Sequence, residues 1–212
     1  MINEDIIIKQ DKNGRNYTVR KDRRRYFYPN EWIAFMKAVH KNNKPLFDFL
    51  INTGARIDEA LHIRPMDLDF ERGNVRLWKT KTKAKKGETH GKPRTMSLST
   101  AYLGRIKRVC NNLPQDQYIF TGSKQSNNQL LKRRVKAAGI KDDSNFSLHN
   151  IRKTHGMWLK SINVPAEEIC LRLGHDYNTY LAHYGSSEVF TITDVREIEK
   201  LMDDLYARKR RF

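Results

Sequence analysis

The sequence predicts an α+β fold that is mainly α-helical and carries one small antiparallel β-sheet or hairpin. Two observations point there. Apolar residues recur at helical spacing in segments along most of the 212-residue chain. Only one internal stretch, from Val75 to Leu98, turns β-like, with its two halves separated by a polar tip. The length is enough to bury a sizeable core in one or two domains.

Taken in order, residues 1–27 differ from the rest. A short β-like run, Ile6-Ile7-Ile8, precedes a polar segment rich in Lys and Arg, read either as a solvated leader or as a basic arm or linker. Pro29-Asn30-Glu31-Trp32 has the chemistry of a helix start, with Asn30 as cap and Glu31 in the first turn. Trp32, Phe35, Met36 and Val39 then repeat at helical spacing. A second helix is expected over Leu46 to Asn52, breaking at Thr53-Gly54, and a third from about Ala55 to before Pro65.

Val75, Leu77 and Trp78 follow the turn Glu71-Arg72-Gly73-Asn74 and read as a strand, with Thr95-Met96-Ser97-Leu98 as its returning partner. Helices are expected near Ser99–Asn112, Asn127–Ala138, His149–Ile162, Ala166–Leu173 and Ile192–Ala207. The last of these carries Val195, Ile198, Leu201 and Leu205 on one face.

Charge narrows the function classes. Forty-one Lys+Arg against 24 Asp+Glu leave +17, with a pI near 9.9. That excess repels itself in a compact fold, so a polyanionic partner is the natural explanation. Nucleic acid is favoured over membrane because no stretch approaches the ~18 apolar residues of a spanning helix. Cys110 and Cys170, with no Cys-x-x-Cys spacing, are read as reduced helix residues of an intracellular protein.

Four short motifs stand out: Thr53-Gly54-Ala55-Arg56-Ile57-Asp58-Glu59, His149-Asn150-Ile151-Arg152, Leu173-Gly174-His175, and Tyr184 nine residues later. From about Tyr28 to about Tyr184 the chain resembles the tyrosine recombinase (phage integrase) family, whose motifs read TGxRxxE, HxxR, LGH and a downstream Tyr. The resemblance implies a site-specific DNA recombinase or integrase of a virus or other mobile element. It would cleave and rejoin strands through a 3′-phosphotyrosyl intermediate.

Each residue type suits that chemistry. The transition state spreads negative charge over non-bridging phosphate oxygens, and arginine donates to them bidentately while staying charged. Arg56 and Arg152 fill that role, nearly a hundred residues apart, so only the fold can join them. Glu59, three residues after Arg56, is expected to orient it from the same helix face. His149 shares a helical turn with Arg152 and could assist at the same phosphate. Gly174 marks a helix end that would point His175 into a cleft.

Tyr184 is the implied nucleophile, chosen over Tyr177 and Tyr180 by the family's spacing; the two rivals are read as packing residues. A phenol with an ordinary pKa of about 10 needs cations or a base nearby. The leaving 5′-oxygen needs a proton, which the family takes from a hairpin lysine. Lys81 best matches, with Lys79 and Lys83 on the same strand face as fallbacks. Lys132, Arg133, Arg134 and Lys136 would widen the footprint on phosphates. Lys153-Thr154 stands where the family usually has His followed by Ser or Thr. Asn163 stands at a turn where Gly is common.

The expected organisation is a basic arm or linker over 1–27, a catalytic domain over 28–185, and a helical tail over 186–212 that packs on its own domain or exchanges between subunits. No N-terminal core-binding domain is recognisable, so the chain reads as a catalytic fragment or a minimal recombinase. Double-stranded DNA is the expected partner, with tetrameric self-association on it and no membrane, metal or cofactor. The expected location is the cytoplasm or nucleoid of a prokaryotic or virus-infected cell. Alternatives are a type IB topoisomerase-like activity, a chromosome-dimer-resolving recombinase, and a DNA-binding protein that has lost catalysis.

Overall fold

The structure, a computed structural model, describes residues 6–10, 16–20, 26–78, 93–141, 146–184 and 189–205. Strands β1 (Ile6–Gln10) and β2 (Asn16–Arg20) pair antiparallel as a separate two-stranded hairpin. The first strand contains the β-like isoleucine run; the second was not expected.

Helix α1 (Pro29–Ala38) begins two residues earlier than an Asn30 cap would place it. Proline at the first helical position has no N–H to leave unsatisfied. Glu31 reaches back to accept the Tyr28 N–H at 3.0 Å, so the cap is Tyr28 with Glu31. Helix α2 (Lys44–Thr53) ends at Gly54, which adopts φ +62, as the Thr-Gly break implies.

Helix α3 is a single turn (Ile57–Ala60), far shorter than the expected span, and Arg56 is its extended N-cap rather than part of it. A 3₁₀ turn (Pro65–Asp67) leads into β3 (Leu68–Asp69). That short strand pairs with β4 (Asn74–Leu77), which pairs with β5 (Arg94–Ser97), so the expected hairpin is a three-stranded antiparallel sheet. Buried Val75, Leu77 and Met96 form its inner face.

Helices α4 (Thr100–Cys110) and α5 (Lys124–Ala137) are capped by Ser99 and Ser123, whose hydroxyls accept the N–H groups three residues on. The Ser123 cap starts α5 three residues before the apolar pattern does. Helices α6 (Leu148–Ser161), α7 (Ala166–Leu173), α8 (Tyr177–Tyr184) and α9 (Ile192–Met202) complete the chain. Asn163 has φ +61 between α6 and α7, the left-handed turn its sequence position called for.

Helix α6 is the axis of the fold. Leu148, Ile151, Met157, Trp158 and Leu159 are buried along it, and it packs against α2, α5, α7, α8 and α9. Phe27, which lies in the sequence-defined arm, belongs to this core. Its ring sits 4.4 Å from Phe146 and 5.3 Å from both Trp32 and Phe35. Its N–H donates to Thr154 Oγ1 (2.9 Å) and its carbonyl accepts from Trp158 Nε1 (3.1 Å), clamping the entering chain onto α6. Thr154 is therefore occupied in the core and not available as a donor at a surface site.

The C-terminal tail docks on its own domain in this structure. Ile198 and Met202 are buried, and α9 meets α1 and α6. Asp203 turns to φ +52 and ends the helix short of the expected Ala207. Asp204 then accepts from the Thr100 N–H (2.6 Å), and Asp203 from the Ala101 N–H (3.0 Å), at the start of α4. Carboxylates at a helix N-terminus satisfy its orphan donors and its dipole. No helix among the described residues is long and apolar enough to cross a membrane.

Candidate active site

The site grows from one buried carboxylate. Glu59, 2 % exposed, accepts the Arg56 N–H at 2.6 Å and the Arg56 guanidinium at 3.0 Å. The pair meets as expected, for a different local reason: Arg56 caps the helix and Glu59 closes on it from the first turn. Glu59 also receives Arg94, whose Nη1 and Nη2 donate to its two oxygens at 2.8 and 2.7 Å. Arg94, at the start of β5, was visible in the sequence only as one of many hairpin cations.

Arg152 stands beside this cluster on α6, 2 % exposed. Its Nη1 donates to the Gly54 carbonyl at 2.6 Å, and its Nη2 to the Leu173 carbonyl and to His175 Nε2, the latter at 3.0 Å. Both carbonyls come from helix C-termini opened by left-handed glycines, Gly54 and Gly174. The two glycines of the sequence motifs thus create acceptors for the arginine of a third. Because the guanidinium can only donate, His175 Nε2 accepts and its ring hydrogen sits on Nδ1.

Burial, with the Arg56 and Arg94 charges adding to it, pushes the Arg152 guanidinium down to about 9. It remains cationic at neutral pH. Three arginines around one carboxylate leave an excess of positive charge in a partly desolvated place, a ready anion site. A cleft of about 500 Å³ opens onto it, lined by Arg56, His149, Arg152, Asn128 and Lys124 among others. His149 lies on the exposed side of α6, at the cleft's edge, while Arg152 forms its floor.

Tyr184 closes α8 and is 1 % exposed. Its ring stacks on His175 (centroids 6.2 Å, 21° between planes) and packs at a tilt against Tyr180, centroids 5.5 Å apart. Gly156 on α6 makes the space: a Cβ there would lie 2.6 Å from the Tyr184 ring. Lys160 holds the backbone end, donating to the Tyr184 carbonyl at 2.6 Å. Burial raises the phenol to about 12, and the Arg152 charge works against that rise. Tyr180 is buried as a packing residue should be, whereas Tyr177 is 56 % exposed and only lays its ring on Tyr180.

A second buried cation supports the first. Arg172 on α7 donates from Nε to His155 Nε2 (2.9 Å), from Nη1 to the Ser97 carbonyl (2.8 Å) and from Nη2 to the Asn52 carbonyl (2.7 Å). It ties α7, which leads into His175, to β5, α2 and α6. His155, fully buried, donates from Nδ1 to the Ile51 carbonyl (2.6 Å), and desolvation followed by the Arg172 charge holds its pKa well below the usual range. No sequence signal separated Arg172 from a surface arginine.

Arg56, held by Glu59, and Arg152 therefore line one cleft that His149 also faces, and contacts lead on from Arg152 to His175 and from His175 to Tyr184. Lys81, with Lys79 and Lys83, lies outside the described residues. Lys132, Arg133 and Lys136 are exposed on α5.

The family model described as the phage integrase family matches residues 25–189. No curated protein matches the sequence. Among solved structures, the chain is similar to the XerA recombinase (TM-score 0.64, 15 % identity), covering 83 % of this chain and 64 % of that one. It is similar to the Tn1549 transposon integrase in complex with a circular intermediate DNA (TM-score 0.65, 16 % identity, 84 % and 66 % covered). It also resembles the XerH site-specific recombinase bound to its difH substrate (TM-score 0.60, 19 % identity, 84 % and 56 % covered). At these identities the likeness is one of fold, and the chain spans somewhat under two thirds of the length of each structure.

Proposed function

The chain belongs to the phage integrase family, and from that premise we propose that it is a site-specific DNA strand transferase that breaks and rejoins DNA through Tyr184. The observation that carries the reading is that Arg56 and Arg152, from separate segments, line one cationic cleft, with His175 bonded to Arg152 and Tyr184 stacked on His175 behind it. Surface arginines would have no reason to be drawn together at the cost of burying Arg152.

A DNA phosphodiester entering the cleft would meet Arg56 and Arg152, whose fixed N–H groups stabilise charge developing on the non-bridging oxygens without reorganising. His149, at the rim, is placed to donate to the same phosphate. Tyr184 Oη forms a bond to phosphorus while the bond to the 5′-oxygen breaks, giving a 3′-phosphotyrosine and a free 5′-hydroxyl. The phenolic proton passes to a base; His175 beside the ring takes it at Nε2 only when that atom is released from Arg152, as it would be when Arg152 turns to the phosphate. The 5′-oxygen takes a proton from an acid, the role assigned to Lys81. The new ester retains the bond energy, so attack by a 5′-hydroxyl of another strand reverses the step and completes transfer.

Integration or excision of viral or mobile-element DNA is the biological use this chemistry fits, with several copies, a tetramer in the simplest case, assembled on double-stranded DNA. The XerH and Tn1549 structures hold DNA on the same fold, which supports that partner. The test uses nicked duplexes with a randomised core, in which strand loss traps the covalent product. The wild-type chain should form a protein–DNA adduct that maps to Tyr184, and Tyr184→Phe should bind the pool as well but form none. An adduct persisting in that variant removes Tyr184 as nucleophile; DNA binding with no adduct from the wild type favours a protein that kept the fold without catalysis.

A further inference from the structure

We infer that Arg94 is a positioning residue of the phosphate clamp, acting on Arg56 through Glu59 and on His175 through Gly174; this rests on the function proposed above. The geometry around Glu59 is a competition between two arginines for one carboxylate. Oε1 accepts from Arg56 Nη1 (3.0 Å) and Arg94 Nη1 (2.8 Å), and Oε2 from the Arg56 N–H (2.6 Å) and Arg94 Nη2 (2.7 Å). Four donors fill both oxygens. The Glu59 side chain is 1 % exposed, so water cannot replace a donor that is lost.

The consequence falls on Arg56. With Arg94 holding the carboxylate by a two-pronged fork, Arg56 commits one guanidinium N–H to Glu59 and keeps the others for the cleft it lines. Without Arg94, a buried carboxylate with unfilled lone pairs would draw the Arg56 guanidinium into a side-on pair and neutralise it. The cation that should meet phosphate would then be spent on Glu59.

A second contact runs to the histidine loop. Gly174 has φ +61, and a Cβ built on it would lie 3.2 Å from Arg94 Nη1 and 3.8 Å from Cδ and Cζ. The guanidinium therefore packs over the residue that precedes His175. Arg94 Nε is buried without an acceptor, so the side chain holds this pose for its fork and gives up a hydrogen bond to do so. Its charge also reaches Arg152, whose pKa it helps to lower.

The experiment compares wild type with Arg94→Ala, Arg94→Lys, Glu59→Gln and the Arg94→Ala/Glu59→Gln double variant. Single-turnover adduct formation is measured on the nicked randomised-core duplexes, with binding of the same pool and thermal melting in parallel. Arg94→Ala should slow adduct formation about 10- to 100-fold while changing affinity less than about threefold, as expected for a misplaced rather than missing donor. Arg94→Lys restores the charge but not the fork and should recover only part of the rate. Removing the Glu59 charge in the Arg94→Ala background should return part of the rate, because Arg56 is released. A merely structural arginine would show additive losses instead.

Wild-type rates in folded Arg94→Ala, or additive damage in the double variant, overturn the inference. If Arg94→Ala does not melt cooperatively, Arg94→Lys decides: full wild-type rate overturns the role of the fork, and a slower rate supports it. If the wild type itself forms no adduct, the proposed function fails and this inference falls with it; if only the Arg94 variants behave normally, the function stands and the inference alone falls.

Discussion

Gly156→Ala adds one methyl group where α6 passes beneath Tyr184, and its effect can be worked from the coordinates. The new Cβ would lie 2.6 and 2.7 Å from Tyr184 Cε1 and Cζ and 3.0 Å from Leu173 Cδ1, where ordinary contact begins near 3.4 Å. The phenol ring must retreat by about 0.8 Å, and a shift near 1 Å at a reacting group costs roughly 100-fold in rate. Folding suffers less. Overpacking costs about 1–3 kcal/mol, while alanine in a helix interior returns up to about 1 kcal/mol over glycine. The melting temperature should fall by no more than about 12 °C, at about 2–4 °C per kcal/mol for a chain of this size. The assay is single-turnover adduct formation on nicked duplexes well below the melting temperature. Gly104→Ala is the control: its Cβ would meet nothing within 4 Å on α4, so it should stabilise slightly and cleave normally. A Gly156→Ala variant that cleaves at or above the wild-type rate refutes the idea that the packed pose of Tyr184 is the reactive one.

Other consequences follow from the buried polar groups. Arg172→Met leaves His155 Nε2 and the Ser97 and Asn52 carbonyls without their donor, at about 1–3 kcal/mol each, so urea denaturation should show a loss of about 3 kcal/mol or more. His155 is held neutral in the fold, so below its ordinary value of about 6.5 the unfolded chain binds a proton that the native state refuses. Stability should be full above that pH and fall by up to about 1.4 kcal/mol per pH unit as pH drops below it; His155→Gln should flatten the slope, and an unchanged slope would exclude His155 as its source. If the basic surface covers roughly six to ten phosphates, DNA affinity should fall about 10³- to 10⁵-fold between about 50 and 200 mM salt, which fluorescence anisotropy would measure.

Local chemistry made many elements legible. Helix α7 spans Ala166–Leu173 as its pattern requires, and Gly54, Asn163 and Gly174 take left-handed turns where the sequence places small or turn-prone residues. The site residues carried by short motifs, Arg56, Glu59, Arg152, His175 and Tyr184, come together in the fold. Less legible were features whose partners lie far away in the chain. A capping contact between Arg56 and Glu59 delays the start of α3, which runs for only one turn, and β3 exists only because β4 offers it an edge. Arg94 and Arg172 look like surface cations until Glu59, 35 residues before the first, and His155, 17 before the second, are brought to them.

By itself the sequence determined which chemistry is present: two motif arginines, two histidines, a tyrosine at a set spacing, and a +17 charge that calls for a polyanion. Those are matters of residue type and local order, which a linear pattern can hold. The tertiary structure alone decided how that chemistry is poised. It set Arg152 on carbonyls freed by two left-handed glycines, buried Tyr184 over the bare Cα of Gly156, and divided Glu59 between Arg56 and Arg94. Each depends on distances between segments that only packing fixes, because a hydrogen bond or a steric contact a few ångströms long has no signature along the chain.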